Sequence, residues 1–215
     1  MPKAAKGAKE PVTAVDYSFD IFISYAHEEN LKYWVQQFFS PELKSGISNH
    51  LNRKVAPRIF LDRWEIRSGD EWRKRLGSAL SDSIYFIPIL TADYFRSRWC
   101  RVELDAFLRR ERKLGLVGRN GEGGLVFPVQ WVKFEVPSRQ LSAKQLVDMS
   151  QWSVSAPAFK QSHDYLNFQR AVRDFSRRFC DREGYLQKPP VKAPLPIRRQ
   201  SANVRPPRTM KKPGF

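Results

Sequence analysis

Three short apolar runs decide what this chain can fold into. They are YSFDIFISY (Tyr17 to Tyr25), RIFLD (Arg58 to Asp62) and IYFIPIL (Ile84 to Leu90), all rich in β-branched and aromatic residues. The first and third have an almost continuous apolar core. Such a run suits a strand buried on both faces, as in a parallel sheet. Between the runs the apolar spacing becomes helical. Leu31 to Asn52 places Trp34, Val35, Phe38 and Phe39 on one face, and Pro41 inside it predicts two segments. A helix opens at Asp70 and runs to about Ser81, with Trp72, Leu76, Ala79 and Leu80 facing inward. Another extends from Trp99 to about Lys113.

LVFPVQ (Leu125 to Gln130) reads as a fourth strand, and Trp152 to Val154 as a short fifth one at an edge. The last helix spans about Asp164 to Asp181, with Tyr165, Phe168, Ala171, Val172, Phe175 and Phe179 on one stripe. Pro88 has to lie where the missing backbone donor is tolerated. Strands alternating with helices predict an α/β fold with helices on both faces of a parallel sheet. In such sheets the ligand crevice lies outside the carboxyl ends of the strands, at the topological switch point. Three segments should meet there: Tyr25 to Asn30, Asp62 to Gly69, and the stretch leading from the third strand to Trp99 and Glu103.

Charge divides the chain. The net charge is +16, yet eight of the 38 basic residues lie after Gln187 with no acidic residue among them. Residues 1–16 read as a flexible lead-in, 17–182 as the domain, and 187–215 as a basic, proline-rich disordered tail. Such a tail can touch nucleic acid by counterion release, although a solvated appendage is the plainer reading. Cys100 and Cys180 are too few for a disulfide framework or a zinc site, and His27, His50 and His163 lack ligand spacing, so no metal is expected. No run approaches the roughly 18 apolar residues of a membrane span, and the first residues have no apolar signal segment. The expectation is a cytoplasmic protein without membrane contact.

Glu103 stands four residues after Trp99, so on a helix both project from one face. At a crevice mouth this pair offers a flat π surface beside a carboxylate. A carboxylate can stabilise an oxocarbenium-like ribosyl cation when a glycosidic bond breaks, and an indole can stack on a base. From spacing alone, one core residue beside one surface charge is the commoner meaning. Asp62 by itself reads as a turn residue, Gly69-Asp70 as a helix entry, the glycines from Gly115 to Gly124 as a connector, and Cys100 as packing.

Three segments then occur in order: DIFISYA (Asp20 to Ala26), IFLDRWEIRSGD (Ile59 to Asp70) and SRWCRVELDAF (Ser97 to Phe107). Together they resemble the three boxes of the Toll/interleukin-1 receptor (TIR) domain family, in its bacterial, NAD⁺-cleaving branch, over roughly Tyr17 to Asp181. The resemblance implies a flavodoxin-like, three-layer fold with about five parallel strands. It also implies cleavage of the nicotinamide–ribose bond of NAD⁺, giving nicotinamide and ADP-ribose or a cyclic isomer. NAD⁺ is then the substrate, and no cofactor is expected. By the same resemblance Glu103 is the catalytic residue, and Trp99, Ser24, Tyr25, His27, Asp62, Arg63 and Trp64 line the substrate. Arg63, Trp64, Glu65, Ile66, Arg67, Ser68 and Gly69 correspond to the BB loop, which covers the substrate and mediates self-association. A sensor or activator partner and a setting in antiphage defence follow from the family, as does the alternative of a non-enzymatic adaptor that only recruits other TIR domains.

Overall fold

The computed structural model describes residues 17–51, 56–61, 76–116, 124–137, 141 and 144–183. Five strands make one parallel sheet: β1 (Phe19–Tyr25), β2 (Ile59–Leu61), β3 (Ser83–Leu90), β4 (Val129–Gln130) and β5 (Val147–Asp148), in the order β2-β1-β3-β4-β5. This is the flavodoxin-like strand order, with its switch point between β1 and β3. All eight residues of β3 are buried, and in β1 only Phe19 is not. The expectation of strands covered on both faces holds.

Helical segments are α1 (Glu29–Trp34), α2 (Ser40–Leu51), α3 (76–81), α4 (Ala92–Arg96), α5 (Arg98–Leu114) and α6 (His163–Glu183). Two neighbouring residues of β3 show how they are layered. The Tyr85 ring meets Phe179 of α6 edge-on, with centroids 5.1 Å apart, whereas the Phe86 ring stacks on Phe107 of α5 at 4.5 Å. Successive side chains of a strand point to opposite faces, so α6 and α5 cover opposite sides of the sheet. Beyond Tyr85, the α6 side continues into an aromatic cluster in which Trp34 lies against Phe39 and Phe168 and donates its indole N–H to the Trp152 carbonyl at 2.8 Å.

The two prolines fare differently against their sequence reading. Pro41 does not separate two helices. The chain stays helical through a π-type stretch, Val35–Phe39, with Ser40 N–H donating to the Val35 carbonyl, and Pro41 sits in the first turn of α2. The widened turn lets the helix continue where an α-turn would need the N–H that proline lacks. Pro88, in contrast, meets its expectation. The β3–β4 ladder is interrupted between the bridge Phe86↔Val126 and the pair Ile89↔Val129, so no donor is needed at Pro88 on that side. The fifth strand is Val147–Asp148, not Trp152 to Val154. Trp152 belongs to a 3₁₀ turn, Ser150–Trp152, and packs into the core.

A buried carboxylate, Glu111, fixes the connection into β4. Glu111 of α5 accepts at Oε1 from the backbone N–H groups of Leu125 (2.5 Å) and Val126 (2.8 Å) and from Lys144 Nζ (2.8 Å). The backbone of Gly124 passes so close that an added Cβ would stand 2.4 Å from Glu111 Oε1, and its φ of +108° is glycine territory.

Candidate active site

α5 runs against the strands with an inward stripe that carries charge. Glu103, Phe107 and Arg110 follow at i, i+4 and i+7, so all three face the sheet. Phe107 stacks over Phe86, which sits beside Phe22 of β1 in register. Toward the amino ends of the strands, Arg110 donates to the Ser83 carbonyl (2.7 Å) and to the Tyr17 hydroxyl (2.6 Å). Burial lowers its pKa, with Tyr17 and then Asp82 opposing the shift. One turn in the other direction, Glu103 reaches the carboxyl end of β1. Phe22 and Ser24 share a face of that strand, and Ser24 is paired in register with Pro88. The helix therefore brings its carboxylate to the switch point.

Ser24 Oγ donates to Glu103 Oε2 at 2.5 Å, in the range of a charge-assisted O–H···O⁻ bond. Glu103 is 1% exposed and Ser24 fully buried. A carboxylate taken out of water is costly without such donors, so the Ser24 hydroxyl is part of what holds Glu103 at this depth. Tyr94 of α4, also fully buried, places its hydroxyl 3.1 Å from Ser24 Oγ and donates to the Cys100 carbonyl at 3.2 Å. The Thr91 side chain accepts from Tyr94 N–H at 3.1 Å and sets the start of α4.

The remaining predicted residues distribute around this pair. Trp99 lies one turn before Glu103 on α5, partly buried against the core. Tyr25 ends β1 and is buried. Past it, His27 is exposed, and its ring centroid is 6.3 Å from that of Tyr25. Desolvation, and secondly the Lys32 charge, lower the His27 pKa to about 4. Even allowing for the water that reaches the ring, the imidazole is neutral at pH 7. Asp62, Arg63, Trp64 and the rest of the expected BB loop through Gly69 lie outside the described residues. Among the described residues, no group of three or more His, Cys, Asp and Glu side chains is placed to hold a metal ion, and no helix is long and apolar enough to cross a membrane.

The structure thus joins Glu103 directly to Ser24. Sequence reasoning missed Tyr94. Its hydroxyl partners are far off in sequence or on the backbone.

With this geometry fixed, comparison with known proteins is decisive on one point. The profile of the TIR domain family matches residues 21–163. The chain belongs to the TIR domain family. Among curated TIR relatives, it is 30% identical over 115 residues to the NAD(+) hydrolase TcpA of Theionarchaea archaeon (strain DG-70-1), covering 54% of this chain and 29% of that protein. It is 27% identical over 101 residues to the 2′ cyclic ADP-D-ribose synthase AbTIR of Acinetobacter baumannii, covering 47% and 33%. It is 26% identical over 112 residues to the NAD(+) hydrolase PdTIR of Paracoccus denitrificans, covering 50% and 34%. The chain therefore spans about a third of the length of these relatives. Among solved structures, the TIR domain of the Toll-related receptor TRR-2 from Hydra magnipapillata aligns with a TM-score of 0.44 and 17% identity, over 73% of this chain and 99% of that one.

Proposed function

We propose that this TIR domain cleaves NAD⁺ at the nicotinamide–ribose bond, with Glu103 as the catalytic residue. The observation that carries the reading is the buried Glu103 carboxylate, held by Ser24 at the sheet's switch point. The names of the relatives as NAD(+) hydrolases and cyclic ADP-D-ribose synthases support it.

The chemistry needs little machinery. The C1′–N bond breaks, its electron pair leaves with the nicotinamide nitrogen, and the ribosyl carbon becomes oxocarbenium-like. A carboxylate set against that carbon stabilises charge present only in the transition state, which is where binding accelerates a reaction. Water then adds to C1′ and gives up a proton, yielding ADP-ribose. If a hydroxyl of the same molecule adds in place of water, the product is cyclic. Trp99 stacks on a flat ring of the substrate, and His27 meets the diphosphate. The reading also assigns Asp62, Arg63 and Trp64 to substrate binding.

Glu103 is too deeply buried to meet substrate as it stands. That suits a domain silent until copies assemble, with the loop from Arg63 to Gly69 of one copy completing the site of the next. A sensor protein as trigger, a cytoplasmic location and NAD⁺ depletion in antiphage defence complete the reading. Incubating the concentrated protein with NAD⁺ and identifying products by mass spectrometry tests it. Nicotinamide released together with linear or cyclic ADP-ribose is expected, and intact NAD⁺ under forced crowding would favour a TIR adaptor without turnover.

A further inference from the structure

Tyr94 belongs to no box from which the site was read, yet it touches two of them. It lies on α4, between the third strand and α5. Its hydroxyl is 3.1 Å from Ser24 Oγ on β1 and 3.2 Å from the Cys100 carbonyl in the first turn of α5. The ring is fully buried, so the hydroxyl has little freedom to wander. From the Tyr94 oxygen a short path leads to Glu103: Tyr94 Oη, Ser24 Oγ, Glu103 Oε2.

Proton counting gives this path a direction. A serine hydroxyl has one proton and two acceptor positions, and a tyrosine hydroxyl has one proton. At 2.5 Å from a carboxylate oxygen, the Ser24 proton is committed to Glu103. The Ser24–Tyr94 bond then forms only with tyrosine as donor, so the one Tyr94 proton is divided between Ser24 Oγ and the Cys100 carbonyl. When Tyr94 donates to Ser24, it polarises the serine O–H toward the carboxylate, and bonds in such a chain strengthen one another. It also restrains the Ser24 side chain, because the acceptor side of Oγ is then tied as well as its donor.

We infer that Tyr94 is a positioning residue for the proposed reaction, its hydroxyl holding Ser24 so that Ser24 fixes the Glu103 carboxylate. The inference rests on the reading of Glu103 as the catalytic group. Tyr94 itself touches no substrate. Its contact with the Cys100 carbonyl ties the same hydroxyl to the turn of α5 between Trp99 and Glu103, so β1, α4 and α5 are registered through one oxygen atom.

The test is a double-mutant cycle on the full chain, using Tyr94→Phe and Ser24→Ala under conditions where the wild type turns over NAD⁺. Phenylalanine keeps the buried ring and removes only the hydroxyl. The expected result is a fall in kcat of roughly 2- to 10-fold, the scale of one net hydrogen bond, with KM and the thermal midpoint close to wild type. In the Ser24→Ala background, Tyr94→Phe should cost nothing further, because a residue acting through Ser24 has nothing left to act on. Tyr94→Phe at the wild-type rate overturns the inference, as does the same fold-loss in both backgrounds or a loss of activity that tracks a fall in thermal midpoint. Glu103→Gln, run alongside, separates the two claims. If it is inactive while Tyr94→Phe is fully active, only the role of Tyr94 fails; if it turns over at the wild-type rate, the proposed function fails first.

Discussion

Glu103 shows how one position can look ordinary in sequence and be unusual in space. A glutamate four residues after a tryptophan most often marks a surface charge beside a core residue, yet this one is 1% exposed and bonded to a serine 79 positions earlier. The three ordered boxes made it legible. No local pattern could reveal Tyr94, since its hydroxyl partner on β1 is 70 positions away. His27 carries a prediction of its own. Its pKa of about 4 in the folded chain lies below the ordinary 6.5, so the unfolded chain binds the proton more tightly. The contribution of neutral His27 to stability is present in full above pH 6.5 and is lost as pH falls through the window down to about 4. Thermal midpoints measured across that window should fall more steeply for the wild type than for His27→Gln, and parallel curves would contradict the shift.

Among the elements, apolar runs located the long buried pieces and the edge strand β2 well, and missed the two-residue edge strand β5. β1, β3, α5 and α6 lie within a residue or two of where apolar spacing put them. β5 did not, because its two residues, one half-buried and one exposed, are too few to display a period. The helix after β1 kept its face and lost its expected break, since the π turn absorbs Pro41. Where that helix crosses α6, close approach replaces side-chain interlocking. A Cβ on Gly46 would stand 2.4 Å from Ser176 Oγ and 2.9 Å from Ser176 Cβ. Gly46→Ala would ordinarily favour a helix interior by about 1 kcal/mol. Here overpacking reverses the sign, and denaturant unfolding should show a loss of roughly 1–3 kcal/mol. A gain would mean that α2 and α6 separate easily.

At the scale of the whole molecule, the described residues form a parallel sheet whose switch point lies between β1 and β3, and α5 delivers an acidic side chain to it from the side. On the proposed reading, so deep a cover over Glu103 ties activity to removal of that cover. Specific activity should therefore rise with protein concentration or crowding, read as NAD⁺ consumed per mole of chain, and a flat profile would contradict activation by assembly. Removing residues 187–215 should weaken any binding to nucleic acid without altering that dependence. The buried strands were readable because apolar runs are local signals, and their flavodoxin-like arrangement came with the family resemblance. The cover over Glu103 was not readable, because burial depends on everything packed around it. The most direct measurement compares the wild type with Glu103→Gln, both folded and assembled to the same extent, for the initial rate of nicotinamide release from NAD⁺. Loss of the charge that stabilises the ribosyl cation predicts a fall of about 10²- to 10³-fold or more, whereas release by Glu103→Gln at the wild-type rate would contradict the assignment.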